Sequence, residues 1–122
     1  MGKQFTMCCP YGQIKDCYDI SGLDIIRCGN WKSHIWEQFS LPFWFARIKG
    51  EKILVNFTGL SPIFVKNKIM TIHDLAFMAN PSWYSKSYVF LYKMLTPLCA
   101  TTSLKVLTVS ESSKAEIISR LS

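Results

Sequence analysis

Short apolar runs rich in β-branched residues alternate with longer segments of helical composition along this 122-residue chain. The alternation predicts βαβ units, in which parallel strands form a sheet and the connecting helices cover it. The predicted strands span residues 4–9, 24–28, 52–57, 68–72 and 105–109. The last three are almost continuously apolar, as strands buried on both faces of a parallel sheet are. We therefore predict the α/β class, with these three strands as neighbours at the centre of the sheet.

The segment 33–48 is helical in composition but contains Pro42, which has no N–H and tends to start a new helix. Two short helices with a bend at Leu41 are therefore predicted. Ile35, Phe39 and Phe43 recur at four-residue steps, and we expect them to face the sheet together. The same mixture of aromatic residues and nearby cations is also typical of a helix at a membrane surface, and that interpretation stays open.

Two further helices are predicted. In residues 85–99, apolar residues recur at steps of three and four and define one buried face. Its members are Tyr88, Leu91, Tyr92, Leu95, Leu98 and Cys99. The last helix covers residues 110–122, where Ser113 and Glu116 have the spacing of a capping box.

The composition and the net charge limit the class of protein and the kind of partner. With 49% hydrophobic and 18% charged residues, the chain is typical of one soluble domain with a single core. The formal net charge of +6 favours a negatively charged partner, without choosing among phosphate, nucleotide, anionic lipid and nucleic acid. No signal peptide is recognisable, and no uncharged run approaches the roughly 18 residues that a membrane span needs. We therefore expect a cytoplasmic protein.

The cysteines are odd in number and lack the spacing of a zinc site. They are Cys8, Cys9, Cys17, Cys28 and Cys99. We interpret them as reduced thiols and assign no metal site, with a metal or disulfide cluster as the alternative. There is also no G-x-G-x-x-G motif, so this sheet either does not bind a nucleotide or follows a first βα unit that the chain lacks.

Polar residues follow three of the predicted strands: Asn56 and Gly59, His73 and Asp74, and Ser110 and Glu111. Ligands of open parallel sheets bind beyond the carboxyl ends of the strands, so these positions are the candidate site. His73 can donate a hydrogen bond or exchange a proton near neutral pH, and Asp74 could orient it. A purely structural His73 remains the alternative.

Two other interpretations of these residues stay open. Ser110 is expected to cap a helix, because a serine at that position caps more often than it acts as a nucleophile. Asp74 and Glu111 could form the carboxylate pair of a glycoside hydrolase, if their separation allowed it.

The second half of the chain carries a joint pattern of motifs. It reads Ile69-Met-Thr-Ile-His-Asp-Leu-Ala-Phe77, then Asn80-Pro-Ser-Trp-Tyr84, and after a helix Val106-Leu-Thr-Val-Ser-Glu-Ser-Ser-Lys114. In order and spacing these motifs resemble the N-terminal domain of family 4 glycosyltransferases. Segments 36–42 and 56–62 resemble the helix and strand-end loop of the same family, so that the resemblance covers about residues 24–121.

The resemblance implies a GT-B enzyme, whose two Rossmann-like domains bind the acceptor and the nucleotide sugar across a cleft. Residues 1–122 would be part of the acceptor-side domain, with the opening βα unit before them and the donor domain after them. By the same resemblance His73 is the cleft histidine, positioned by Asp74. Ser110 and Glu111 lie at the cleft mouth, and Asn56 and Gly59 contribute to substrate binding from the strand-end loop.

The implied function is retaining transfer of a sugar from a nucleotide sugar to a cell-surface glycan or lipid-linked acceptor, at the inner membrane face, without a cofactor or nucleic acid. Placing both substrates between two cleft walls lowers the barrier by roughly 7 to 11 kcal/mol, so we expect this chain alone to transfer no sugar. A non-catalytic module that binds the acceptor or a membrane surface is the first alternative. A small hydrolase using His73 is the second, although no G-x-S-x-G motif supports it.

Overall fold

The computed structural model describes residues 5–11, 22, 24–31, 33–57 and 60–121. The chain divides into two compact units, Met1–Ile48 and Lys49–Ser122. The described residues form a mixed α/β structure with small parallel sheets and helices beside them, which confirms the predicted class at that level. A strand lies at each of the five predicted positions, and each is shorter than predicted.

In the first unit, β1 (Met7–Cys9) and β2 (Ile25–Arg27) pair in parallel. The chain then turns through Gly29, whose φ is +74°. A Cβ atom at this position would collide with the Ser40 side chain, so both the backbone and the space demand glycine. The Trp36 indole N–H donates to the carbonyl of Cys28 at 2.5 Å and fastens the end of β2 to the following helix.

That helix has three consecutive parts: α1 (Ser33–Ile35), a π-helical turn (Trp36–Ser40) and α2 (Leu41–Arg47). Because Pro42 has no N–H to donate, the hydrogen-bonding pattern changes just before it. The Leu41 N–H bonds to the Trp36 carbonyl, five residues back. The α-helical pattern thus restarts at Leu41, but the prediction of two separate short helices is wrong, because the backbone stays helical from Ser33 to Arg47.

The expectation that Ile35, Phe39 and Phe43 are buried is wrong. Phe39 is 58% exposed and Phe43 is 63% exposed, whereas Trp36, Leu41 and Phe45 are the buried residues. The wider π-turn explains the difference, because it brings residues five apart, Trp36 and Leu41, onto one face. A search for regular α-helical spacing could not find this phase shift.

In the second unit, β3 (Leu54–Asn56), β4 (Lys68–Thr71) and β5 (Lys105–Leu107) form a three-stranded parallel sheet. β4 lies in the middle and pairs with both neighbours, which confirms the predicted adjacency. The predicted burial on both faces is not found even in β4, where Lys68 and Met70 are buried and Ile69 and Thr71 are half-buried. Val55 in β3 and Leu107 in β5 are partly exposed, because in the described sheet each of these strands has a single neighbour.

The helices of this unit are α3 (Ala76–Ala79), α4 (Lys86–Thr101) and α5 (Glu111–Leu121), with a 3₁₀ turn at Pro81–Trp83. Ser85 caps α4 by accepting the Tyr88 N–H. The predicted capping box in α5 is wrong. Ser110 is the cap, as the separate interpretation of that residue expected, and Glu116 pairs with Arg120 at 3.1 Å.

The core of the second unit is a buried cluster from the loops, β4 and the helices. Its members are Leu60, Met70, Ile72, Leu75, Phe77 and Cys99. The predicted face of α4 is largely confirmed, since Tyr88, Tyr92 and Leu95 pack against this cluster. Leu98 does not belong to that face, because it is 47% exposed.

Lys68, the first residue of β4, is fully buried at 0% exposure. Its ammonium donates to the Val65 carbonyl at 2.7 Å and to the Thr102 hydroxyl at 2.6 Å. Both partners are neutral, and burial lowers the pKa of the Lys68 ammonium below its ordinary value. The folded chain therefore binds this proton less tightly than the unfolded chain does.

The lowered pKa gives a pH dependence with a definite sign. Between the folded pKa of Lys68 and the unfolded pKa of about 10.4, the unfolded state holds more protons, so stability rises with pH. We expect the free energy of unfolding of the wild type to rise relative to that of Lys68→Met as pH is raised from 7 toward 10. Chemical denaturation across this range measures the difference. Lys105→Met, which removes an exposed lysine from β5, controls for the loss of one charge. If the difference in the free energy of unfolding between the wild type and Lys68→Met stayed constant with pH, the lowered pKa of Lys68 would be contradicted.

Candidate functional site

The parallel register brings the carboxyl ends of the three strands of the second unit to one edge of the sheet. Asn56 is paired with Met70, and Thr71 with Leu107. Asn56 is the last residue of β3, His73 lies two residues beyond β4, and Ser110 lies three residues beyond β5. Of the predicted site residues, Gly59 lies outside the described residues.

His73 is exposed and joins the ends of two strands. Its Nε2 lies 2.8 Å from the carbonyl oxygen of Phe57, the residue after β3. Because a carbonyl can only accept, Nε2 carries the hydrogen, and Nδ1 is the acceptor of the neutral ring. Among the described residues Nδ1 has no partner, so it can accept a hydrogen bond from a ligand hydroxyl.

Asp74 has a different immediate role from the one predicted. Its Oδ1 accepts the N–H of Ala76 at 2.9 Å and so shapes the start of α3. Among the described residues its carboxylate forms no hydrogen bond with His73. The orientation of the imidazole comes from the Phe57 carbonyl, and Asp74 stands beside it as a second polar group.

Ser110 and Glu111 form the beginning of α5. The Ser110 hydroxyl accepts the Ser113 N–H at 3.1 Å and donates to the Ser113 hydroxyl at 3.0 Å, which confirms the capping interpretation. Glu111 is exposed and lies 4.0 Å from Lys114. Neither residue lines the cavity that contains His73, so the structure does not group them with His73 and Asp74.

A cavity of about 210 Å³ opens beside His73 and Asp74. Its apolar wall comes from the core residues Leu60, Met70 and Ile72, and its polar groups include the Thr71 and Thr96 hydroxyls. Four aromatic residues complete the lining: Phe77, Tyr84, Tyr88 and Tyr92. A concave space that combines an apolar wall with convergent polar groups is the usual form of a small-molecule site.

The tyrosines form a continuous stack along this wall. The Tyr84 and Tyr88 rings are 5.2 Å apart and nearly parallel, and the Tyr88 and Tyr92 rings are 4.1 Å apart. Phe77 meets Tyr92 edge to face at 5.6 Å. These contacts hold the rings in fixed positions, so the cavity has a rigid aromatic side.

Buried oxygens without a hydrogen-bond partner concentrate at the same edge of the sheet. In the described part of the chain they are Asn56 Oδ1, Thr71 Oγ1, Thr96 Oγ1 and Thr108 Oγ1. Asn56 ends β3, Thr71 ends β4, and Thr108 directly follows β5. The Thr96 residue lines the cavity and is only 3% exposed. A buried oxygen without a partner is unfavourable, and a ligand or water that bonds to it removes that cost.

The sequence did not reveal Thr71 and Thr96 as site residues, since Thr71 lies inside a predicted strand and Thr96 inside a predicted helix. The tyrosines did carry a signal, because Tyr84, Tyr88 and Tyr92 follow one another at four-residue steps. For Tyr88 and Tyr92, the sequence predicts from this spacing that both rings pack in the core. The structure shows that the same rings contact both the core and the cavity.

Within residues 5–11, 22, 24–31, 33–57 and 60–121, no three His, Cys, Asp or Glu side chains cluster closely enough to hold a metal ion. None of the described helices has the length and apolar character needed to cross a bilayer. Comparison of the chain with models of known families, with curated proteins and with solved structures finds no match. The interpretation of the site therefore rests on its own geometry and on the motifs of the sequence.

The Thr96 hydroxyl gives a direct test of the cavity. Thr96→Val keeps the side-chain shape and removes a buried oxygen that has no partner, so we expect stability to be unchanged or to rise by up to about 1 kcal/mol. The matched control is Thr102→Val, whose hydroxyl accepts from Lys68 and donates to the carbonyl of Leu98 or Cys99. That variant should lose about 1 to 3 kcal/mol. Equal losses for the two variants in urea unfolding would mean that Thr96 has a protein partner.

Proposed function

We propose that this chain supplies the acceptor-binding wall of a retaining glycosyltransferase, which transfers a sugar from a nucleotide sugar to a glycan or lipid-linked acceptor. The observation that supports it most is the cavity in which an exposed histidine, stacked tyrosines and partnerless hydroxyls meet at the carboxyl edge of a parallel sheet. The motif resemblance around His73 and Asp74 points to the same chemistry. The nucleotide sugar would be held by a second domain.

The lining of the cavity has the chemistry that a sugar ring requires. A sugar presents C–H faces and hydroxyl edges, and the electron-rich faces of tyrosine rings attract the slightly positive C–H groups. The Thr71 and Thr96 hydroxyls can exchange hydrogen bonds with the ring hydroxyls. The volume of 210 Å³ is below the roughly 300 to 1,000 Å³ of drug-sized sites, so a single sugar residue suits it better than an oligosaccharide.

In this proposal His73 orients the attacking hydroxyl of the acceptor. Its Nδ1 accepts the hydroxyl hydrogen while Nε2 stays fixed on the Phe57 carbonyl, so the ring cannot turn away. Transfer through an oxocarbenium-like transition state depends on placing the acceptor oxygen and on stabilising the leaving phosphate. His73, with Asp74 beside it, would serve the first need, and the second falls to the donor domain.

We expect His73→Ala to weaken binding of simple methyl glycosides to the chain, measured by ligand-observed NMR. In an enzyme that unites this chain with its donor domain, the same change should lower kcat by roughly tenfold or more, because the loss of one hydrogen bond worth about 1.4 kcal/mol in the transition state lowers the rate tenfold. Stability should change little, because His73 is exposed. The control is His34→Ala, since His34 belongs to the first unit and contacts Glu37. A destabilised His73→Ala protein with normal turnover per folded molecule would remove His73 from the site.

A second candidate function, binding to a membrane surface, is favoured by the exposed aromatic residues of the first unit. Trp31, Phe39 and Phe43 are all more than half exposed, and the Trp31 and Phe39 rings touch at 5.9 Å. The Arg47 guanidinium lies 4.2 Å from the Phe43 ring. Apolar rings beside a cation are what an interfacial helix inserts into an anionic leaflet. In this candidate the protein is cytoplasmic and contacts the inner membrane face.

Co-sedimentation with vesicles tests this candidate. The wild-type chain should bind phosphatidylglycerol-containing vesicles more tightly than pure phosphatidylcholine vesicles, since its net charge is +6. Phe43→Ser should weaken the binding by about tenfold, as expected for removing a large inserted apolar side chain. The matched control is Phe64→Ser, because Phe64 is also exposed but lies in the second unit. Equal binding by all three proteins would exclude insertion of this helix.

A further inference from the structure

Two cysteines of the first unit lie in contact. Cys8 is in β1 and Cys28 directly follows β2, and their sulfur atoms are 3.0 Å apart. Cys8 is in register with Ile26, and Cys28 lies two residues beyond Ile26, so the two thiols are on the same face of the strand pair. Cys9, the neighbour of Cys8, points to the opposite face.

The backbone around this pair is fixed from both sides. The Cys28 N–H donates to the Cys9 carbonyl at 3.0 Å, and the Cys28 carbonyl accepts the Trp36 indole N–H. Both cysteines are partly exposed, so a small oxidant can reach them. Burial first, and then the contact with Cys28, raise the pKa of the Cys8 thiol, so at neutral pH Cys8 stays protonated. Attack on an external disulfide therefore falls to Cys28.

We propose that Cys8 and Cys28 form a redox-active dithiol that closes to an intramolecular disulfide by exchange with a small disulfide such as glutathione disulfide. The Cys28 thiolate attacks one glutathione sulfur, which forms a mixed disulfide and releases one glutathione thiolate. The Cys8 sulfur, giving up its proton, then attacks the Cys28 sulfur and releases the second glutathione. The protein loses two hydrogens and two electrons, and the glutathione disulfide gains them.

The new bond would join β1 to β2 and close a loop of about twenty residues. A cross-link of this kind restricts the unfolded chain, so the oxidised protein should unfold at a higher temperature than the reduced one. The pair is thus a modification site that lies in the first unit and is separate from the cavity at His73. It does not depend on the proposed glycosyl transfer.

The full chain allows a direct test, because trypsin separates the relevant cysteines. Cys8 and Cys9 fall in peptide 4–15, Cys17 in peptide 16–27 and Cys28 in peptide 28–32. After treatment with glutathione disulfide and alkylation of the remaining thiols, mass spectrometry should find peptide 4–15 linked to peptide 28–32. The link should persist in Cys9→Ser and fall at least tenfold in Cys8→Ser. In Cys8→Ser the glutathione adduct should instead accumulate on peptide 28–32, because no thiol resolves it.

Several outcomes would overturn the proposal. A dominant link to peptide 16–27, a link that survives Cys8→Ser, or disulfide-bonded dimers in place of the internal bond would each assign the chemistry to other thiols. A stable glutathione adduct on the wild type would show that Cys8 does not resolve the intermediate. The circular dichroism spectrum of each variant shows whether it is folded. If one variant does not fold, the disulfide-linked peptides of the wild type still show which cysteines are joined.

Discussion

The pairing of β4 with a parallel strand on each side is the constraint on which the second unit depends. Parallel strands with matched register end at the same edge, so this pairing places the residues after β3, β4 and β5 close to one another. The hydrogen bond between His73 and the Phe57 carbonyl joins two of these ends. If β4 were shifted by one residue, Met70 and Ile72 would leave the core, and His73 would lose its position.

Lys68, at the other end of β4, stabilises the fold. Lys68 is enclosed without a carboxylate, and its ammonium is satisfied by a carbonyl and a hydroxyl from the segments before β4 and after α4. The Leu104 N–H also bonds to the Lys68 carbonyl, so this one residue holds the start of β4 to the turn that leads into β5. One end of β4 is therefore fixed by the hydrogen bonds of the buried Lys68, whereas at its other end the Thr71 hydroxyl has no partner among the described residues.

The two ends of β4 therefore differ in role: the end at Lys68 stabilises the fold, and the end at Thr71 belongs to the candidate site. A buried hydroxyl without a partner is unfavourable, and a sequence optimised only for packing would place valine at such positions. Thr71 and Thr96 instead face a cavity walled by ordered tyrosines. Departures from good packing that gather at one place are what a binding site produces, because its groups are satisfied only when the ligand is present.

Much of this architecture followed from the sequence alone. Short apolar runs rich in β-branched residues favour strands, so all five strand positions, the adjacency of β3, β4 and β5, and the polar residues near their ends were predictable. The capping role of Ser110 was also predictable, because a serine at the start of a helix is a common N-cap.

Other features required the tertiary structure. The π-turn before Pro42 changed which aromatic residues are buried, and the choice of the Phe57 carbonyl over Asp74 as the partner of His73 arose from two strand ends that are distant in sequence. The cavity, too, exists only because β4, the loop at Leu60 and one face of α4 meet. Periodicity reports which residues share a face, but the space left between faces is decided by how whole elements pack.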